Sequence, residues 1–425
     1  MQVGLPDRRE VTGAVVNIDT ATEIDKKQVT SPSHILFPPG LFRRSGFTFL
    51  SRTRLKWKMT MARHRVAVIG GAGTWGRYYM RAYAERSDCE IIALVDRAKD
   101  RRQAFADHYG VRAVFDSVEE LLDCEVPDIV SAVVPVGQNR AVVLACAQAG
   151  VRVVSCEKPL AVQLSDADDM GRVCRERGTL FACGQSLWST PYQPEVVDWV
   201  HTGGIGKLTG AAIPAGLPVE VSGGGCVQLA ALRSLTRMDV EWVEGYTLPP
   251  IPMYVARPDG PDVEKDCPAH GRLGLSGGIV CDIPAPAGKQ HPARCFLSVE
   301  GEEGQVFLSF QQPVLLQGRG AARSPVFPSF LDQPPTPNRL WNGRVESLIH
   351  AFETGQAPAS SGDDYRHSLE VAMALVRSAA AGHERIELPF EDRSLRLHPA
   401  LYREKGGDVA GWESIGYQGP PDLPT

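Results

Sequence analysis

The chain lacks several features that mark specialised classes of protein. Its ten cysteines form no CxxC pair and no cysteine–histidine cluster with zinc-ligand spacing, so we assign no metal. No run of about 18 apolar residues occurs, which excludes a helix that spans a bilayer. An excess of positive charge is also missing, since the net charge is -5. This balance gives no field that would attract nucleic acid or an anionic membrane.

What remains is the composition of an ordinary globular protein, with 43% hydrophobic and 22% charged residues. The length of 425 residues is enough for two domains with substantial cores. Several cysteines, among them Cys146, Cys156 and Cys183, fall inside predicted core segments, where they behave as reduced, small hydrophobic side chains. We therefore expect a cytoplasmic protein.

Residues 1–60 differ from the rest of the chain. They contain prolines, scattered charges and a basic run, without a sustained helical or strand period. Prolines and arginines interrupt every apolar run that could serve a signal peptide. We expect a disordered leader or a start codon assigned too early, with translation beginning at Met59 or Met61.

A glycine-rich turn follows the first strand-like segment, in "RVAVIGGAGTWG". A GxGxxG pattern, formed by Gly71, Gly73 and Gly76, leads into a predicted helix. Asp96 ends the next buried strand, 20 residues after Gly76. This spacing suits a tight turn, close approach of the backbone to a pyrophosphate, and an acid that binds a ribose hydroxyl. The context predicts a dinucleotide site.

Strands and helices then alternate with short connections as far as residue 184. Ser117 and Glu120 form a predicted capping box, and Gly150 and Gly178 are expected to end helices. Short right-handed crossovers imply a parallel sheet with helices on both faces, whose ligands lie at the carboxyl ends of the strands. Pro135 and Lys158 also follow strands, so we expect them to face the same crevice as Asp96 and the glycine turn.

The segment "VVSCEKPLA" ends a buried strand on Glu157, Lys158 and Pro159. Proline disfavours the helical conformation for the residue before it, so the backbone helps to aim the lysine. Most neighbouring Glu-Lys pairs are solvated surface pairs. The position at the edge of a predicted nucleotide crevice favours a functional role instead.

These segments together resemble the Gfo/Idh/MocA oxidoreductases, a family of sugar and cyclitol dehydrogenases, and the resemblance covers roughly residues 64–390. It implies an N-terminal Rossmann domain with a doubly wound parallel sheet (61–187) and a C-terminal α/β domain with a large, mainly antiparallel open sheet (188–425). It also implies a sheet that pairs subunits into dimers or tetramers, and a small polyol or sugar as substrate.

By the same resemblance, the cofactor site consists of residues of the glycine turn and of the later strand ends. The pyrophosphate would lie at Gly71, Gly73 and Gly76, the adenosine ribose at Asp96, and the nicotinamide ribose and substrate at Glu157 and Lys158. The other cofactor-binding candidates are Thr74, Trp75, Arg97 and Pro135. Lys158 would hydrogen-bond the reacting oxygen and is the catalytic candidate. An acid in the position of Asp96 favours NAD, because it repels the 2′-phosphate of NADP. Arg97 and the basic residues after it leave NADP as the alternative.

The sequence departs from the family pattern at two places. Gln138 and Asn139 stand where a histidine usually follows the strand "DIVSAVVPV". The segment "SGGGCVQLAALRS" supplies Leu229 and Arg233, or Gln228 and Leu232, where many members have an acid and a histidine four residues apart. Trp188, Tyr192 and Arg233 are candidates for the substrate side of the cleft, with Arg233 as a clamp for a substrate carboxylate.

Two functions of different classes therefore remain open. The first is an NAD(P)-dependent oxidoreductase that exchanges a hydride with a secondary alcohol or ketone of a sugar, sugar acid or cyclitol. The second is a nucleotide-binding homologue with reduced or no catalytic activity, such as a sensor or regulatory subunit. A nucleic-acid-binding regulator is disfavoured by the acidic balance of the chain.

Overall fold

The computed structural model of the protein describes residues 63–184, 191–217, 219–252, 255–257, 259–261, 264–285, 295–309, 312–334 and 339–407. The predicted leader, residues 1–60, lies outside these ranges. None of the helices in the described ranges has the length and apolarity that a bilayer crossing requires.

The first sheet has six parallel strands in the order β3-β2-β1-β4-β5-β6, which is the strand order of a doubly wound nucleotide-binding fold. The strands are β1 (His64–Ile69), β2 (Cys89–Val95), β3 (Ala113–Phe115), β4 (Ile129–Ala132), β5 (Val153–Cys156) and β6 (Leu180–Cys183). Helices connect them: α1 (Gly76–Ala84), α2 (Lys99–Tyr109), α3 (Val118–Cys124), α4 (Val136–Ala149) and α5 (Leu164–Arg177). The predicted Rossmann architecture is confirmed.

Local signals in the sequence account for several helix ends. Gly150 and Gly178 end α4 and α5 in the left-handed conformation, with φ of 90° and 69°, as predicted. The Ser117 side chain accepts a hydrogen bond from the Glu120 backbone N–H, so the predicted N-cap is confirmed. The capping box is not formed as expected, because the Glu120 carboxylate accepts from the backbone N–H of Asp116 instead.

The second sheet is larger, with nine strands in the order β14-β13-β12-β11-β7-β10-β9-β8-β15. Only the pairing of β10 with β7 is parallel, so the expected mainly antiparallel sheet is confirmed. The strands are β7 (Leu208–Ala212), β8 (Val240–Thr247), β9 (Ala269–Leu275), β10 (Ile279–Ile283), β11 (Cys295–Gly301), β12 (Gly304–Ser309), β13 (Val314–Gln317), β14 (Ser324–Pro325) and β15 (Ile386–Glu387). The remaining helices are α6 (Gln193–Trp199), α7 (Cys226–Thr236), α8 (Arg339–Thr354), α9 (Gly362–Ala380) and α10 (Leu401–Lys405).

Helix α8 packs on the first sheet although it follows most of the second sheet in the chain. Its buried residues Trp341, Val345 and Leu348 share one apolar cluster with Tyr83 and Val153 of the N-terminal part. A second cluster runs continuously from the first sheet into the second. The apolar cores are therefore not divided at one point of the sequence.

We expect Leu348→Ala to lower the free energy of unfolding by about 2–5 kcal/mol, the usual cost of removing a buried leucine side chain. Leu348 is 3% exposed. Val314→Ala on β13 is the control, because Val314 is 51% exposed and surface changes usually have small effects. Thermal denaturation followed by circular dichroism measures both variants. Equal melting temperatures for the two variants would contradict the role given to α8.

Candidate active site

The glycine turn packs against β4 and against its own helix with no room for side chains. Gly70 has a φ of +73°, and a Cβ on it would lie 2.1 Å from the carbonyl oxygen of Val133. A Cβ on Gly76 would lie 2.0 Å from the carbonyl oxygen of Gly70. A Cβ on Gly71 would lie 2.5 Å from Cδ1 of Leu94. The turn therefore requires glycine for backbone packing, and Gly70 is a residue that the GxGxxG pattern did not select.

Asp96 directly follows β2 and hydrogen-bonds to the backbone of the glycine turn. One carboxylate oxygen, Oδ2, accepts a hydrogen bond from the backbone N–H of Ala72 at 3.2 Å, and the other, Oδ1, accepts from that of Ala98 at 2.9 Å. Arg101 lies 4.0 Å from Oδ1. The acid is thus fixed beside the glycine turn with a basic side chain next to it.

Glu157 is anchored by two residues that are far from it in sequence. Its Oε1 accepts hydrogen bonds from the Tyr79 hydroxyl at 3.0 Å and from Arg344 Nη1 at 2.6 Å. Burial raises the pKa of this carboxyl, but the charges of Arg344 and Lys158 outweigh burial, and the net effect is a lowered pKa. Glu157 is therefore ionised at neutral pH and held by α1 and α8.

Arg344 is itself held on several sides. Its Nε donates to the carbonyl oxygen of Gly184 at 3.0 Å. Its guanidinium carbon lies 5.1 Å from the ring centre of Tyr79 and 5.0 Å from that of Trp341, within the range of cation–π attraction. The orientation of Glu157 is thus set by a side chain that local sequence patterns do not reveal.

Asn139 holds the backbone that carries the lysine. Its Nδ2 donates to the carbonyl oxygens of Glu157 and Pro159 at 3.0 Å and to that of Leu160 at 3.1 Å. The side chain is buried, where a polar group needs such partners. Asn139, which stands in the region where the family usually has a histidine, therefore fixes the loop after β5.

Lys158 follows β5, and its peptide bond to Pro159 is cis. Burial lowers the pKa of Lys158 to about 8, the charge of Arg403 acts in the same direction, and Glu157 and Glu220 oppose this effect. Among the described residues, none accepts a hydrogen bond from Nζ. The ammonium is therefore available for a ligand and able to change its protonation state near neutral pH.

The second half of the chain brings an ion pair to the same place. Glu220 precedes the glycine run at the start of α7, and its Oε2 accepts a hydrogen bond from Arg403 Nε at 2.7 Å. Glu220 Oε1 accepts from the backbone N–H of Ala400. A Cβ on Gly223 would lie 2.6 Å from Glu220 Oε2, so this glycine makes room for the carboxylate. The family pattern has an acid after the glycine run, whereas the acid that pairs with Arg403 here stands before it.

A cavity of about 410 Å³ joins these features. The residues predicted for the cofactor line it with the exception of Gly71 and Gly76, which pack behind the turn, and they are Gly73, Thr74, Trp75, Asp96, Arg97, Pro135, Glu157 and Lys158. Residues of the C-terminal part complete the wall: Trp341, Tyr402, Arg403, Gly406 and Gly407. The crevice expected at the strand ends is therefore formed in the structure.

This cavity fits a dinucleotide by three observations. Gly70 and Gly73 of the turn line the cavity, so no side chain from these two positions stands between the backbone and a ligand. Thr74 Oγ1 is buried and has no hydrogen-bond partner in the described part of the chain; a phosphate oxygen at the turn would satisfy it. Asp96 stands at the end of the neighbouring strand for a ribose hydroxyl.

The substrate candidates from the sequence do not gather at this cavity. The Tyr192 hydroxyl donates to the carbonyl oxygen of Gln333 at 2.6 Å, and Arg233 forms ion pairs with Asp239 and Asp364. Neither residue lines the cavity. Trp188 lies outside the described residues. Arg403 stands instead of Arg233 as the arginine that reaches the crevice.

The positions that could have supplied an acid and a histidine are part of the core. Leu229 and Leu232 are buried in α7, and Gln228 is buried beside them. His201, a histidine outside the cavity, has its Nε2 3.0 Å from the carbonyl oxygen of Leu235. Within the described ranges, no group of three metal-ligating side chains is found.

Comparison with known proteins identifies the class of the site. Residues 64–185 match the GFO_IDH_MocA model, described as an oxidoreductase family with an NAD-binding Rossmann fold. This part of the chain is therefore an NAD-binding oxidoreductase domain. The match agrees with the resemblance of the motifs in this part of the chain to the Gfo/Idh/MocA oxidoreductases.

Individual relatives extend the match beyond the Rossmann fold. The 1,5-anhydro-D-fructose reductase of Ensifer adhaerens is 26% identical over 73% of this chain and 95% of its own length. The D-glucoside 3-dehydrogenase of Escherichia coli K12 is 32% identical, but the match covers only 30% of this chain and 36% of that protein. The crystal structure of aldose-aldose oxidoreductase from Caulobacter crescentus, complexed with glycerol, aligns with a TM-score of 0.62 at 21% identity, over 77% of this chain and 100% of that chain.

We expect Gly76→Ala to abolish or severely weaken NADH binding, because its Cβ meets the Gly70 carbonyl and displaces the turn. Gly137→Ala is the matched control, since a Cβ on Gly137 has nothing within 4 Å and alanine favours the helix in which it lies. Titration of each purified variant with NADH, followed by tryptophan fluorescence, measures the dissociation constants. Unchanged affinity in Gly76→Ala would contradict the packing argument.

Proposed function

We propose that this protein is an NAD(P)-dependent oxidoreductase that exchanges a hydride with a secondary alcohol or ketone of a polyhydroxylated small molecule. The observation that carries the proposal is Lys158, which lines the cavity together with the cofactor residues and whose Nζ has no hydrogen-bond partner among the described residues. The names of the relatives, a reductase and a dehydrogenase of sugar derivatives, support this substrate class.

Oxidation of an alcohol releases a hydride from carbon and a proton from oxygen. A bound nicotinamide supplies the carbon that takes the hydride. The proton is the part that side chains of this protein have to accept, and Lys158 Nζ is the candidate acceptor. A group with a pKa of about 8 suits this task, because general acid–base catalysis works best when the pKa is near the operating pH.

Some neighbours of Lys158 fix its position, and others affect its charge. Asn139 fixes the loop that carries the lysine, and the Tyr79–Arg344 pair fixes the Glu157 carboxylate next to it. Oε2 of Glu157 accepts no hydrogen bond from the described residues, so it can accept one from a ribose hydroxyl. Arg403 adds positive charge that favours the neutral lysine. No histidine takes part in this scheme.

The rival function, a nucleotide-binding homologue without turnover, predicts no need for a lysine of this kind. A sensor needs the glycine turn and Asp96 but gains nothing from an unpartnered, desolvated amine in the crevice. This difference favours the enzyme. The domain boundaries near residues 61, 187 and 188, the homodimer or homotetramer and the cytoplasmic location stay predictions from the sequence.

We expect Lys158→Met to lower turnover by about 10²-fold or more, the usual effect of removing a positioned acid or base. Methionine keeps the length of the stem, and NADH affinity should change little because the pyrophosphate contacts lie at the glycine turn. Lys207→Met, which replaces an exposed lysine, is the control. The assay screens NAD⁺ and NADP⁺ against sugars, sugar acids and inositols, with absorbance of the reduced nicotinamide as the signal.

The pH dependence gives a second measurement on the same variant. Lys158 has to be neutral to accept a proton, so kcat/KM for alcohol oxidation should rise with pH through an apparent pKa of about 8. Lys158→Met should lose this inflection. Full turnover in Lys158→Met on a confirmed substrate would refute the mechanism, and normal NADH binding without any substrate would favour the rival function.

The cofactor should be NAD(H) rather than NADP(H), with at least about tenfold tighter binding, because the Asp96 carboxylate repels a 2′-phosphate. Asp96→Ser should bring the two affinities closer together. Titration of the parent protein and this variant with both reduced cofactors tests this expectation. At least tenfold tighter binding of NADPH by the parent protein would assign the site to Arg97 and Arg101 instead.

A further inference from the structure

The guanidinium of Arg403 is only partly used by the protein. Its Nε donates to Glu220 Oε2 at 2.7 Å. Within the part of the chain that the structure describes, Nη1 and Nη2 make no hydrogen bond. The residue lines the same cavity as Lys158, with a side chain that is 15% exposed. A desolvated arginine therefore presents donor groups to a ligand.

Its position is fixed on both sides. Glu220 is 2% exposed and also accepts a hydrogen bond from the backbone N–H of Ala400, directly before α10. The room for this carboxylate comes from Gly223. Arg403 is thus held through its Nε. Its Nη1 and Nη2 groups are preorganised for a ligand, because the side chain is already ordered and binding costs little further entropy.

The charges at the lysine end of the cavity do not balance. Four charged side chains act on Lys158: the cations Arg344 and Arg403 and the carboxylates Glu157 and Glu220. Each cation pairs with one carboxylate, so the ammonium of Lys158 is the surplus charge. Asp266 lies nearby, but donors of its own surroundings, Val221, Ser222 and Cys267, engage it, and it does not line the cavity.

From this arrangement we propose that the substrate carries a carboxylate, and that Arg403 binds it while Lys158 meets the reacting oxygen. The planar fork of arginine matches a carboxylate. Arg344 and Arg403 each already pair with a carboxylate, so these two cations leave nothing to balance the second charge of a phosphate dianion, and sugar acids are preferred to sugar phosphates. The inference rests on the proposed oxidoreductase function and names its substrate class.

The test compares acids with neutral sugars of the same skeleton. D-Glucuronate and D-galacturonate are set against D-glucose and D-galactose, D-gluconate against D-glucitol, and glucose 6-phosphate serves as the phosphate arm. The parent protein should give a higher kcat/KM for at least one acid than for its neutral partner. A preference for every neutral partner, or for glucose 6-phosphate, would overturn the proposal.

Arg403→Gln removes both the fork and the charge that lowers the pKa of Lys158, so kcat/KM should fall for acid and neutral substrates alike, and the fall for the acid should be larger by about 10- to 100-fold, the range for a hydrogen bond to a charged group. Lys405→Gln on the same helix is the control, because Lys405 is exposed and does not line the cavity. Equal losses for acid and neutral substrates would overturn the assignment.

Arg403→Lys covers the case in which Arg403→Gln fails to fold. It keeps the charge beside Glu220 and removes the fork, so selective loss on the acid supports the proposal, and unchanged discrimination contradicts it. Calorimetric titration of D-glucuronate, D-galacturonate and D-gluconate into the NADH-saturated protein serves if no turnover is found. Binding of one of these acids that weakens at least tenfold in the Arg403 variant supports the carboxylate site even though the proposed reaction fails. Absence of binding by all three acids overturns the carboxylate site and leaves the proposed reaction to be decided by the Lys158→Met experiment.

Discussion

The ion pair between Glu157 and Arg344 is the interaction on which the arrangement of the site depends. It joins the end of β5 to α8, two elements separated by most of the chain, in surroundings where both side chains are largely buried. Burial of two charges carries a desolvation cost, which short geometry and further hydrogen bonds have to offset. Tyr79 and the carbonyl of Gly184 supply those bonds. Loss of one partner would leave the other charge buried and unpaired. If Arg344 were lost, the Glu157 carboxylate would lose the hydrogen bond that orients it beside Lys158.

The sequence was informative wherever the signal is local. The glycine turn, Asp96 and the Glu-Lys-Pro segment could be read because strand, turn and helix lie within a few residues of one another. The strand β3, of three residues, was missed because it is too short to show a period. Arg344, Glu220 and Arg403 were missed for a different reason: nothing near them in sequence indicates what they contact. Their partners are decided by how the second half of the chain packs on the first, and pairwise patterns do not encode that packing.

Arg233, a substrate candidate from the sequence, lies away from the cavity in the structure. An arginine was expected where the acid and histidine are missing, since a positive charge could hold an anionic substrate. On α7 that arginine meets Asp239 and Asp364, while Leu229 and Leu232 turn inward. The charge in the crevice comes from α10 instead. The five-residue helix α10 thus places an arginine at the cavity, and the longer helix α7 does not.

The packing of α8 limits which part of the chain can be exchanged between genes as one unit. A fragment that ends near residue 185 contains every strand of the first sheet, and it coincides with the stretch that the family model matches. It would nevertheless leave bare the apolar surface that Trp341, Val345 and Leu348 cover. Gene fusions or exchanges that cut at this point would have to carry α8 along or provide another cover. The unit that can be exchanged is therefore discontinuous in the gene although it is continuous in space.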